Sequence, residues 1–386
     1  MTYHLIEFLW RVSVQKICVG VYPYSFEFDP FLNHLCLLES NYKITALISP
    51  SGWGLTGKKI ETEHGTWTVM SDITQVLDII DTVYIPSFNV ADNVEALILK
   101  EIENVTPYIK KIICSAKLSK RNIKRLQSIC IKSGCLFENL NDLQCPASFE
   151  PISVTEENPS IEDIDVPVVV IAGLWEKTDK FEASLVLREK FIQSGYRITQ
   201  IGSRNCCELL GFHSFPNYML DPNIGATNKI ISFNNWIQTL VQKEKPDVVI
   251  LTIPGAVQNL NDKNTKGFGI LHHIVFQAIS ADFLLFCTMY DNNSIRFLEE
   301  TSLMCKYKFG SEVDCYHMSN LLFDINATKE MRKVIVNQFY RKAVTQALEN
   351  SFKNSPVPIV NILEKSSWES VFNFIIDKLS DIDVQI

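Results

Sequence analysis

The stretch Pro167-Val-Val-Val-Ile-Ala-Gly-Leu-Trp-Glu-Lys-Thr-Asp-Lys180 restricts what this chain can fold into more than any other. Its apolar run has the length and composition of a parallel strand covered on both faces. A loop opens at Gly173. Phe181, Leu185, Leu187, Phe191 and Ile192 then recur near the helical period, so a helix is expected over 180–194 with Lys180 in its first turn. Strand, glycine-opened loop and helix with an early lysine is the layout of a phosphate-binding P-loop. In such a loop backbone N–H groups wrap the anion and the lysine reaches the terminal phosphates.

The chemical parts of that layout are altered. Asp179 stands where a glycine precedes the lysine, and Phe181 stands where a serine or threonine holds magnesium. Gly173 and Lys180 are seven positions apart, a longer loop than the common pattern. The later strand Pro246-Asp-Val-Val-Ile-Leu-Thr-Ile-Pro-Gly-Ala ends in Thr252, Pro254 and Gly255, with no carboxylate where a P-loop protein carries its magnesium-organising acid. Both magnesium-organising positions are missing, which argues against nucleotide hydrolysis and leaves anion binding open. The candidate ligand set is Gly173, Glu176, Thr178, Asp179 and Lys180, with Ser203 and Arg204 beyond the next strand and Thr252 and Gly255 beyond the later one. A guanidinium at Arg204 suits bidentate pairing with phosphate or carboxylate. The ligand this set implies is a nucleotide, ATP or GTP, or an acyl-CoA. No catalytic residue and no metal site is assigned.

Alternation of strand and helix signals runs through both halves of the 386 residues, a length that suits two domains. Strands are expected at 17–21, 44–48, 67–69, 82–85, 111–114 and 135–137, with helices at 31–39, 73–80, 94–105 and 120–133. Further strands are expected at 168–172, 197–201, 247–253, 283–288 and 358–362, with helices at 180–194, 230–243, 268–279, 328–350 and 367–379. Strands separated by helices imply right-handed crossovers and parallel sheets. Four prolines and several acids from Leu143 through Pro167 mark a linker. The expected architecture is α/β with two doubly wound domains: a Rossmann-like domain over 1–145, a linker over 146–166 and a P-loop NTPase-like domain over 167–386. Gly20-Val-Tyr-Pro-Tyr-Ser-Phe-Glu follows the first strand and lacks the dinucleotide glycine fingerprint, so NAD is not supported.

A formal charge of −8 gives no broad attraction for nucleic acid or anionic lipid. Glu7 and Arg11 break the apolar stretch near the N-terminus, and no run reaches the ~18 apolar residues of a membrane span. A cytoplasmic protein is expected, with a homodimer left open. Eleven scattered cysteines without Cys-x-x-Cys spacing fit reduced, buried thiols. Cys206-Cys207 with Glu208 and His213 lacks zinc spacing and reads as packing. His272 and His273 fall in an apolar helical run, one expected to pack and one to face solvent. His317, Ser319 and Asn320 form a polar cluster with no triad spacing, so His317 is kept as a crevice-lining residue. The glycine-rich Ser49-Pro-Ser-Gly-Trp-Gly-Leu-Thr-Gly-Lys58 suits a loop closing over a ligand or a plain surface loop.

Three segments carry a resemblance: Ala172-Gly-Leu-Trp-Glu-Lys-Thr-Asp-Lys-Phe-Glu, the block from Gly195 to Pro216 with Ser203-Arg-Asn-Cys-Cys-Glu at its centre, and Tyr316-His-Met-Ser-Asn. Together they resemble the clostridial peptide maturation system proteins, found with ribosomally made, cysteine-rich peptides and a radical SAM enzyme. The resemblance implies an accessory role in bacterial natural-product peptide maturation, with the precursor peptide and that enzyme as partners. A non-catalytic peptide-binding scaffold and an acyl- or phosphoryl-transfer enzyme acting on an amino acid or peptide are the alternatives. More distantly, Pro246 to Ala256, Gly269-Ile-Leu-His-His and Ala281-Asp-Phe-Leu-Leu-Phe resemble a Rossmann-plus-P-loop family that includes D-glutamate N-acetyltransferases. The departures from that family are Asp179, Phe181 and Thr252.

Overall fold

The computed structural model describes residues 16–382 apart from 40, 89–91, 143–159, 260–265, 291–293, 325, 329–334 and 354. Two compact units divide the chain near residue 143, with Glu208–Gly211 belonging to the first. Residues 146–159 of the expected linker, and the apolar stretch near the N-terminus, lie outside the described residues.

In the first unit β1 (Ile17–Val21), α1 (Asp29–Asn33) and β2 (Tyr42–Leu47) are followed by a hairpin, β3 (Lys59–Thr62) and β4 (Gly65–Thr68). Then come β5 (Thr82–Ile85), α2 (Asp92–Val105), β6 (Lys111–Cys114), α3 (Lys120–Ser133) and β7 (Leu136–Asn139). The parallel sheet runs β2-β1-β5-β6-β7. With the hairpin set aside, that is the doubly wound order in which the chain turns back beside its first strand. The segment expected as a helix over 73–80 makes only a 3-10 turn, Ile73–Val76, started by Asp72, whose carboxylate accepts the Thr74 N–H at 2.8 Å. The strand expected at 67–69 belongs to the antiparallel hairpin rather than to the parallel sheet. Gly52, Gly54 and Gly57 all have positive φ, so the glycine-rich loop turns left-handed three times before β3.

The second unit contains β8 (Val168–Gly173), α4 (Lys180–Gln193), β9 (Ile198–Gly202), β10 (His213–Ser214), α5 (Ala226–Glu244), β11 (Val248–Thr252), α6 (Ile270–Ala278) and β12 (Phe283–Met289). It continues with α7 (Ile295–Phe309), β13 (Cys315–Ser319), β14 (Leu321–Phe323), β15 (Val336–Gln338), α8 (Arg341–Ser351), β16 (Ile359–Val360) and α9 (Trp368–Ile382). The sheet is parallel, ordered β10-β9-β11-β8-β12-β13-β16. Every residue of β8 and β12 is buried, as a sheet covered on both faces requires, and each such aliphatic side chain contributes about 1.5–3 kcal/mol. Val170, Ala172 and Phe286 pack with α5, α6 and α7 on one face. Val169, Ile171 and Leu285 pack with α4 and α9 on the other. The chain leaves β8 through α4 toward one side and leaves the neighbouring β12 through α7 toward the other. Ligands bind such sheets at the carboxyl ends of the strands where connections diverge.

One expected helix is corrected. Over 328–350 the chain makes β15, which pairs antiparallel with β14, and only then α8. Val336 and Phe339, which fit a helical stripe in the sequence, serve a hairpin and a ring contact, with the Phe339 ring centroid 5.5 Å from that of Tyr290.

Strand starts share a device. Asp81, Asp247, Asp282 and Asp314 each stand immediately before a strand and accept the backbone N–H of Cys18, Arg197, Val168 and Leu284 respectively, at the start of a neighbouring strand. The crossing segment that precedes β8 is also anchored. Buried Asn234 of α5 donates to the carbonyls of Glu162 and Ala278 at 2.8 and 2.9 Å and accepts the Glu162 N–H at 3.1 Å. Replacing Asn234→Ala leaves these groups without partners and should lower unfolding free energy by about 2–4 kcal/mol. A urea titration checks it, and an unchanged midpoint counts against the anchor.

Candidate functional site

Gly173 ends β8 in a position with no room for a side chain. A Cβ there would stand 2.6 Å from Thr178 Oγ1 and 2.8 Å from Lys180 Nζ. The loop closes through these two side chains. Lys180 Nζ donates to the Trp175 carbonyl at 3.1 Å and to Thr178 Oγ1 at 3.4 Å, and the Thr178 hydroxyl donates to the same carbonyl at 3.2 Å. Lys180 is buried, which lowers its pKa, while Cys287, Glu176 and Asp179 pull the other way. Lys177 and Asp179 both have positive φ, 58° and 57°. That backbone is cheap for glycine and costs other residues roughly 1 kcal/mol or more. Asp179 is thus an aspartate in a glycine's conformation.

Its side chain does not cap α4. Instead Asp179 Oδ2 accepts the Ser319 hydroxyl at 2.5 Å, across from the carboxyl end of β13. Burial pushes its pKa up to about 6; Ser319, Arg341 and Arg204 favour the charged form and Glu182 opposes it. Phe181, buried, forms a platform on which the Arg204 guanidinium stacks 4.4 Å from the ring centroid. Glu182 in the same turn accepts from Arg341 Nη2 at 2.8 Å. Trp175 meets Phe323 of β14 edge-on at 5.5 Å.

The residues after β11 lie alongside this loop. Ile253, Val257 and Gln258 donate their N–H groups to the carbonyls of Ile171, Gly173 and Leu174 at 3.0, 3.0 and 3.1 Å. Gly255 turns left-handed within this run. Thr252 is buried with its hydroxyl unpartnered, and so is Thr288 at the end of β12. Gly269, at the head of α6, brings its Cβ position within 2.2 Å of the Val257 carbonyl and so ties α6 to the same region. His272 is buried there with both ring nitrogens unpartnered; burial, then Lys180 and Lys308, hold its pKa down to about 3. His273 faces solvent. His317 is buried and accepts the Ile362 N–H on Nδ1 at 3.2 Å, an anchoring role.

Of the sequence-derived set, Gly173, Thr178, Asp179 and Lys180 form one contiguous cluster, and Glu176 adds charge beside Lys180. Arg204 reaches the cluster through Phe181 and Asp179, with half-buried Ser203 as its neighbour. Thr252 at the end of β11 and Gly255 in the turn beyond it flank the cluster. The sequence patterns missed Glu182, Ser319 as the partner of Asp179, and Arg341. Arg341 lies 159 positions from Glu182, and no local pattern announces such a pair. Among the described residues no group of metal-ligating side chains occurs, and no helix is long and apolar enough to cross a membrane.

Fold and loop together define an α/β class with a Rossmann-like first domain and a P-loop NTPase-like second domain. No family model matches the chain, and no curated protein matches it in sequence. Among solved structures, a DUF1611 family protein from Anabaena variabilis is similar over 95% of this chain and 100% of its own, with a TM-score of 0.61 and 11% identity. At that identity the likeness is one of fold. A putative oxidoreductase from Bacillus subtilis covers 47% of this chain and 53% of its own, at TM-score 0.26 and 12% identity. Apo McdA, described as from Cyanthece, covers 56% of this chain and 93% of its own, at TM-score 0.28 and 13% identity. Neither of these carries weight for the fold.

The Asp179 carboxyl makes a measurable pH dependence. Its folded pKa lies above the unfolded value, so between about pH 4 and 6 the folded protein binds more protons than the unfolded chain, and stability falls as pH rises through that window. Asp179→Asn, which keeps an acceptor for Ser319, should therefore gain stability relative to the parent by about 1–2 kcal/mol at pH 7.5 and by little near pH 4. Denaturant titrations of both proteins at the two pH values test this; a difference independent of pH would contradict it.

Proposed function

We propose that the second domain is a remodelled P-loop that binds a nucleotide or another phosphate-type anion without turning over magnesium nucleotides. The single observation that carries this is the buried Lys180 ammonium in the first turn of α4, hydrogen-bonded to one carbonyl and one hydroxyl. A buried cation whose hydrogen-bond partners are both neutral, with Glu176 and Asp179 acting on it only through space, is under-compensated, and an anion at the loop supplies what is lacking. Magnesium chemistry is disfavoured by the same residues: Phe181 supports Arg204 rather than a metal, and Thr252 offers a hydroxyl in place of a carboxylate.

The resemblance of the Ala172, Gly195 and Tyr316 segments to clostridial peptide maturation proteins supports placing this domain in an accessory protein for a ribosomally made peptide, working with the precursor and a radical SAM enzyme. The closure of the loop over Lys180 favours one second reading, a module that presents the precursor with its P-loop vestigial. A pull-down with the precursor peptide by a Lys180→Ala variant separates them: retained capture with no anion binding by the parent supports the vestigial loop.

Calorimetric titration of the parent with ATP, GTP and acetyl-CoA should detect binding of at least one, weakened about tenfold or more in Lys180→Ala. Asp179→Gly, which suits the left-handed backbone and removes the charge, should tighten it. No magnesium-dependent release of phosphate from ATP or GTP is expected above background. Failure of all three ligands to bind, or hydrolysis that disappears in Lys180→Ala, would overturn the proposal.

A further inference from the structure

Arg341 opens α8, remote in sequence from the loop, yet its Nη2 meets Glu182 Oε1 at 2.8 Å in the first turn of α4. The Glu182 side chain is 7% exposed and that of Arg341 34%. A buried carboxylate needs such a partner. Neutralising Glu182 does not exhaust what Arg341 offers. A guanidinium carries five N–H donors in a fixed fork, and Glu182 engages Nη2. The same guanidinium is close enough to Asp179 to favour its charged form, as is Arg204. Lys180, Arg204 and Arg341 therefore converge on the residue that precedes α4, from three separate elements.

We propose that Arg341 is a ligand-binding residue of this anion site, aimed by Glu182, and that the ligand is a multiply charged phosphate-type anion. The inference rests on the anion-binding reading above. Its ligand class follows from charge and shape. Lys180 and the loop's backbone suffice for a single negative charge. A second and third cation, both guanidinium forks, match the paired oxygens of phosphoryl groups. Glu182 engages Arg341 through Nη2, so ligand binding does not require this ion pair to break.

A structural role for Arg341 makes a different forecast, and the variant pair Glu182→Gln and Glu182→Gln/Arg341→Ala separates the two. Removing Arg341 alone takes away the cation that Glu182 engages at 2.8 Å, so it risks unfolding; the double variant removes the Glu182 charge as well. Inorganic pyrophosphate and ATP serve as probes, titrated into parent, Lys180→Ala and the two variants, with thermal melting to confirm folding. The double variant should bind either probe at least about tenfold more weakly than Glu182→Gln alone. Equal affinity in Glu182→Gln and the double variant would show that Arg341 only neutralises Glu182, while the anion site itself stands. Absence of Lys180-dependent binding of both probes by the parent would remove the anion site and this inference with it.

Discussion

An ammonium group placed at the bottom of a loop, out of water, dictates the geometry around it. Lys180 is buried at the head of α4 with a carbonyl and a hydroxyl as partners. To let it fold back, Gly173 gives up a side chain, Thr178 turns inward, and Lys177 and Asp179 adopt left-handed backbone. Strain of that kind persists only where its surroundings over-determine it. Here the restraint comes from β8, entirely buried between β11 and β12, and from backbone bonds that lock Val257 and Gln258 to Gly173 and Leu174. A rigid sheet holds a loop that would relax elsewhere.

Around the lysine, the positions that serve magnesium in an ordinary P-loop carry other groups. Phe181 carries a stacked guanidinium, and the residue before the lysine is a carboxyl held by a serine two strands away. Electrostatics in this region is consequently a balance among neighbours rather than a field of one sign. Asp179 feels two arginines, a glutamate and its own burial at once. Small changes in any of them shift its proton.

Much of the fold is legible in the sequence, because parallel strands buried on both faces are apolar runs that few other structures tolerate. The strands at β1, β5, β6, β8, β11 and β12 all read this way. Where the code is non-local it fails. Val336–Gln338 looks helical by its periodicity, and only its antiparallel partner Leu321–Phe323 makes it a strand. β13 contains a histidine and a serine that conceal a fully buried strand, and their burial makes sense only with Ile362 and Asp179 beside them. The loop cluster from Gly173 to Lys180 is contiguous and therefore readable. Its outer members, Ser319 and Arg341, arrive through topology.

The aspartates before β5, β11, β12 and β13 give each sheet two unlike ends. At one end carboxylates pin the opening N–H groups of neighbouring strands, so strand offsets are set there. At the other lie the strained loop 174–179, the unpartnered hydroxyls of Thr252 and Thr288, and the buried Lys180. Such a sheet behaves like a comb clamped along its spine: teeth can be reshaped one by one at the free ends without disturbing their alignment. An aspartate in left-handed backbone and a buried phenylalanine under a guanidinium are then accommodated at the free end, while the clamped end keeps the strands in register.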